Sequence, residues 1–194
     1  PKAVGSGVNL MKRIFQMCDG ILAVGGSQMT QKILPMVGFR TCAQMTRFAL
    51  PLRPLQRIAG QKMSARTIAQ FGRSVLWSMQ APSMRVPGWS AERISPAGLA
   101  AFPSAWPRPT AGVTQFERSQ ASFEYLLGCP ITPFELFAVS NSSGVCGYFL
   151  LAYTPGQVRI ADLHIDSMQP DDWTSLVKLA VTQARRRQDA AEVM

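Results

Sequence analysis

The sequence predicts an α/β (α+β) fold, a mixed and mostly antiparallel sheet flanked by helices. Three observations predict it. Between residues 134 and 166, the apolar runs "FELFAVS", "VCGYFLLAY" and "VRIADLHID" are separated by "NSSG" and "TPGQ", which is how strands joined by tight turns read. On both sides lie segments whose apolar residues recur every three or four positions, the period of a helix with one buried face. Of the 194 residues 47% are hydrophobic, enough to bury one large core or two small ones.

Taken in order, residues 8–18 place Leu10, Met11, Ile14, Phe15 and Cys18 on one helical face, and Asp19-Gly20 ends the helix. "ILAVGG" at 21–26 reads as a short buried strand closed by glycines. Ser27 is an N-cap for the helix "QMTQKIL", which Gly38 closes. "FRTCAQMTRFALPL" then reads as one long strand or two short ones.

Residues 55–79 read as one amphipathic basic helix. Leu55, Ile58, Ala59, Ala65, Ile68, Ala69, Gly72, Val75, Leu76 and Met79 make its apolar or small face, and Arg57, Lys62, Arg66 and Arg73 oppose them. Gly60 and Gly72 weaken it. Two uses stay open, a helix packed on the domain and a helix lying on an anionic membrane surface. Residues 81–112 carry six prolines (82, 87, 96, 103, 107 and 109). Long helices and central strands are therefore excluded, and the stretch reads as a surface linker anchored by Trp89 and Trp106.

Residues 115–127 read as a helix, followed by the three strands. Pro170 then opens a helix with Asp171 and Asp172 in its first turn and Arg185, Arg186 and Arg187 at its end, matching the helix dipole at both termini. Trp173, Leu176, Val177, Ala180 and Ala184 form its buried face, and "AAEVM" begins another strand. The chain thus divides into residues 1–53, 54–112 and 113–194.

Charge is unevenly spread. Residues 1–80 hold eleven Lys/Arg against Asp19 alone, net +10; the remainder holds nine against ten acids, net −1, which together give +9. The first part attracts anions, or is merely a solubilising basic surface. Helix-turn-helix signals and interleaved aromatic and basic residues are missing, which weighs against nucleic acid. No run approaches the roughly 20 apolar residues of a transmembrane helix, and no signal peptide is evident. Cys18, Cys42, Cys129 and Cys146 are scattered and His164 is the single histidine. No metal site and no disulfide framework is expected, and a cytoplasmic location is.

The opening residues carry a resemblance. Lys2-Ala3-Val4-Gly5-Ser6-Gly7 leads into an apolar helix, where unpaired amides and glycines admit a phosphate. This stretch resembles the pyrophosphate loop of GNAT acetyltransferases, Gln/Arg-x-x-Gly-x-Gly/Ala before a helix. Lys2 stands for Gln or Arg, while Gly5 and Gly7 match. The family continues with a strand and then Asn-x-x-Ala-x-x-x-Tyr-x-x-x-Gly-Phe. Here Ser27, Thr30 and Leu34 take the Asn, Ala and Tyr positions, and Gly38-Phe39 is kept. Leu34 cannot act as the family's tyrosine acid toward a leaving thiolate. Residues 1–53 thus resemble the C-terminal half of a GNAT-like unit.

Residues 113–194 resemble the N-terminal half of a second, degenerate unit, with "MQPDDWTSL" lacking glycines where a phosphate loop belongs. Residues 54–112 join them. The resemblance implies an acyl-CoA N-acyltransferase fold, permuted or incomplete, with the strand at 158–166 beside that at 21–24 as one arrangement. It implies acetyl-CoA as acyl donor, bound by Lys2, Val4, Gly5, Ser6, Gly7, Val8 and Ser27, and an amine acceptor that attacks the thioester directly. The acceptor is not encoded in any motif, and a homodimer stays open.

In "IADLHID", strand alternation sets Asp162, His164 and Asp166 on one face. Asp162 and His164 are candidate bases for the acceptor amine; metal binding by the three, or a merely solvated face, are the alternatives. Glu135 and Tyr148 are further polar candidates. Other functions left open are a non-catalytic GNAT-like module, a fragment of a tandem-GNAT protein, and a basic surface binder.

Overall fold

The computed structural model describes residues 6–18, 21, 27–43, 46–58, 62, 64–80, 86–101 and 118–194. The chain forms two units, Pro1–Thr46 and Arg47–Met194.

In the first unit, α1 spans Ser6–Met17 and α2 spans Gln28–Ile33, running into a 3-10 turn at Leu34–Val37. Ser27 caps α2, its Oγ accepting the Thr30 amide at 3.2 Å. Gly38 sits at φ +97, a left-handed conformation that closes the helix at little cost only for glycine. Phe39 then turns back, its amide on the Leu34 carbonyl and its ring 5.4 Å from that of Phe15 on α1. The expected strand at 21–26 lies mostly outside the described residues.

The second unit is a six-stranded sheet in the order β1-β6-β5-β4-β3-β2. Its strands are β1 (Leu50–Pro51), β2 (Ser90–Arg93), β3 (Phe134–Asn141), β4 (Gly144–Thr154), β5 (Gln157–Ile165) and β6 (Glu192–Val193). All pairings are antiparallel except β5 with β6. The mixed, mostly antiparallel sheet flanked by helices is thus present. The turn glycines Gly144 and Gly156 take φ +108 and +73, which the two tight connections require. Asn141 adds an Asx turn, its Oδ1 accepting the Ser143 amide at 2.8 Å.

The sheet has two cores, one per face. α6 (Pro170–Arg185) buries Leu176, Leu179, Ala180, Val181 and Ala184 against Phe137, Phe149, Leu151, Val158 and Ile165. Each large side chain contributes about 1.5–3 kcal/mol. On the other face α5 (Gln120–Leu127) and a 3-10 turn (Pro96–Ala101) cover Leu136, Tyr148 and Leu150 with Phe123 and Leu99. Ser119 caps α5 through the Ser122 amide, so this helix starts later than residue 115.

A bulge decides which face the β5 side chains join. Leu150 pairs with Asp162 but Leu151 pairs with Ile160, so Ala161 is the extra residue. Without it Ile160 and Asp162 would share a face. With it, Val158, Ile160, Leu163 and Ile165 all pack on the α6 side, and Asp162 turns to the α5 side.

The structure departs from expectation in three segments. The single helix over 55–79 is two: α3 (Pro54–Ile58) and α4 (Ala65–Gln80), the latter capped by Ser64 through the Thr67 amide. α4 also turns its apolar stripe outward: Thr67 and Ser74 are the buried residues, while Ile68, Leu76 and Met79 are exposed. Among the described residues of "FRTCAQMTRFALPL" there is no long strand; of these, Leu50–Pro51 is extended into the sheet, where Arg53 locks it by donating to the carbonyls of Ala190 and Arg185. The proline-rich stretch is not only linker: Ser90–Arg93 forms the edge strand beside β3, and Trp89 packs on the α6-side core. An edge tolerates this composition because only one side of the strand must be paired; Trp106 lies outside the described residues. The described neighbours of β5 are β4 and β6; its other suggested partner, the strand at 21–24, lies outside the described residues except for residue 21.

Candidate functional site

The bulge at Ala161 presents Asp162 to the α5 side, where it becomes the centre of a polar cluster. Asp162 receives Arg118 Nε on Oδ2 at 2.7 Å and a second guanidinium N–H on Oδ1 at 2.9 Å. Tyr148 Oη donates to Oδ2 at 2.9 Å and the Leu163 amide to Oδ1 at 3.0 Å. Arg118 comes from the residues just before the Ser119 cap of α5, so helix capping fixes where its side chain departs. The two-pronged contact suits the planar guanidinium. It raises the Arg118 pKa above its ordinary value, desolvation opposing. Burial, then Asp162, push the Tyr148 phenol well above its ordinary range, so it stays a donor at neutral pH.

His164 follows two residues on, beside the Tyr148 ring with centroids 6.0 Å apart and edge-on to Trp173 at 6.4 Å. Burial, then the Arg118 cation, lower its pKa below the ordinary histidine value. The imidazole is therefore neutral at pH 7 and able to take a proton. A cavity of about 760 Å³ adjoins the cluster, walled by Arg118, Ser122, Phe123, Phe134, Leu150 and Asp162 among others.

Asp162, His164 and Tyr148 are thus brought together. Glu135 is not: it pairs across from Leu151 on the opposite face, accepting Tyr153 Oη and meeting Arg93 at 3.2 Å. Asp166 is exposed, and no three His, Cys, Asp or Glu are grouped to hold a metal ion among the described residues. Arg118 carries no sequence signal, since its partner lies 44 residues away and only the fold joins them.

For the candidate phosphate loop, Lys2, Val4 and Gly5 lie outside the described residues. Ser6, Gly7 and Val8 begin α1, whose first turn holds no acid. Ser27 Oγ is engaged with the Thr30 amide and hydroxyl, so its hydrogen bonds cap α2. Asp171 and Asp172 occupy the first turn of α6, Asp172 accepting Ser167 Oγ.

No protein-family model and no curated protein matches the chain. Among solved structures, a functionally unknown conserved protein from Staphylococcus epidermidis ATCC 12228 is similar at 7% identity and a TM-score of 0.43, over 88% of this chain and 56% of that one. The chain spans about half the length of that protein, and similarity at this level assigns neither fold nor function.

Proposed function

We propose that this chain is a GNAT-type module that binds acetyl-CoA and passes the acyl group to an amine acceptor in the cytoplasm. One observation carries the reading. α1 opens at Ser6, directly after Gly5, with an acid-free first turn in the strongly basic part of the chain. The first amides of such a helix have no internal partner and carry partial positive charge, which suits a pyrophosphate. Lys2 would add a cation, and Val4 to Val8 the main-chain donors.

The chemistry needs no covalent enzyme intermediate. The acceptor amine attacks the thioester carbonyl, a C–N bond forms, the C–S bond breaks, and the thiolate leaves. The amine's proton passes to a base, the role for which the sequence offers Asp162 and His164. Asp162 orients Tyr148 and Arg118, its oxygens being already occupied by four hydrogen bonds.

A second reading, a non-catalytic GNAT-like binding module, is favoured by Leu34 at the tyrosine position and by the acids at the start of α6. Calorimetry separates the readings. Acetyl-CoA is expected to bind, with Gly5→Asp abolishing the heat, and thiol release with a panel of amines is expected to fall in His164→Asn. Binding without turnover on any amine selects the second reading. No heat at about millimolar acetyl-CoA overturns both.

A further inference from the structure

We infer that α4 is a membrane-surface helix that seats its outward apolar stripe in an anionic lipid bilayer. The inference is independent of acyl transfer and rests on how this helix is turned. Thr67 and Ser74 are buried, and Gln70, Phe71, Val75 and Ser78 are half-buried, so a largely polar face meets β1 and α3. The inward hydroxyls are satisfied locally: Thr67 Oγ1 donates to the Lys62 carbonyl at 3.0 Å and Ser78 Oγ to the Val75 carbonyl at 2.9 Å.

The opposite face is apolar and open. Ile68, Leu76 and Met79 are 57%, 62% and 75% exposed, with Gly72 between them. The spacing 68, 72, 76, 79 lays them in one stripe roughly 17 Å long. Folding leaves this apolar surface in water, a cost that burial against a partner would recover.

The border of the stripe identifies the partner. Arg66 and Arg73 are exposed along one side, and Trp77, 54% exposed, lies beyond them. No Asp or Glu occurs between Asp19 and Glu92, so no acid on α4 itself, on α3 or on β1 repels an anionic surface. Apolar residues flanked by arginines and a tryptophan match the layering of a lipid interface, acyl chains below and phosphates at the level of the cations. Nucleic acid would satisfy the arginines and leave the stripe wet. No helix among the described residues is long and apolar enough to cross a membrane, so the contact is one of lying on the surface.

The test is co-sedimentation of the whole chain with phosphatidylcholine vesicles, with and without about one third phosphatidylserine. Binding is expected to the anionic vesicles, with a blue shift of tryptophan emission that Trp77→Phe removes. Arg66→Gln and Arg73→Gln are each expected to weaken binding about fivefold. Leu76→Glu and Met79→Glu are expected to weaken it at least tenfold, by about the transfer energy of one apolar side chain. Both sites are exposed and glutamate suits a helix, so unchanged far-ultraviolet dichroism shows that the variants fold. Failure of the wild type to sediment with anionic vesicles overturns the inference. So does equal binding by Leu76→Glu and Met79→Glu, which assigns the attraction to bulk charge. Self-association lost in Leu76→Glu, without vesicle binding, overturns it in favour of a second copy on this face.

Discussion

His164 is the single histidine in the chain, so one side chain reports the electrostatics of the whole cluster. Burial and the nearby Arg118 cation place its folded pKa below the ordinary 6.5. The unfolded chain therefore binds the proton more readily. Stability is fully present above the ordinary histidine value and is lost as pH falls through the folded pKa. The urea midpoint is expected to drop between about pH 7.5 and pH 5.5, before most carboxylates titrate, and His164→Gln is expected to flatten that slope. An unchanged slope in the variant would show that His164 is as solvated in the folded state as in the unfolded one. The pairing of Asp162 with His164 on one face was legible from strand alternation. That Arg118 and Tyr148 would saturate Asp162 was not, because hydrogen bonds across 44 and 14 residues leave no periodicity.

At the scale of elements, close packing of β4 on β5 rests on Gly147. A Cβ there would lie 2.5 Å from the His164 carbonyl oxygen and 3.1 Å from the Ile165 Cα, both backbone atoms that cannot step aside. Gly147→Ala is expected to destabilise by about 1–3 kcal/mol. Gly72→Ala, on the open face of α4 with nothing within 4 Å, is expected to stabilise by about 0.5–1 kcal/mol. Denaturant midpoints of the two variants should move in opposite directions. Hairpin strands were readable because their turns need particular residues, Asn141 and Gly144, then Pro155 and Gly156. β2 was not readable, and β1 was read only as part of a longer extended stretch over 39–52. Two- and four-residue strands bear no pattern of their own, and they exist because β6 and β3 offer unpaired edges.

At the scale of the whole molecule, the two hydrophobic cores found among the described residues lie within Arg47–Met194, from Leu50 to Val193. A fragment of residues 47–194 is expected to unfold in one cooperative transition, with a midpoint within about 5 °C of the full chain's. Loss of cooperativity in the fragment would mean that Pro1–Thr46 supplies contacts the sheet needs. The uneven charge also operates at this scale, setting a basic first part against a near-neutral remainder.

The sequence by itself determined the helices α1, α2 and α6, the three-strand meander with its turns, and the class of the fold. These depend on local rules, namely periodicity, caps and glycine at positive φ. Only the tertiary structure decided which way α4 faces, where the sheet ends, and which donors reach Asp162. An apolar stripe on a helix records that some surface will cover it; whether that surface lies in the same fold depends on the shape of everything packed around it.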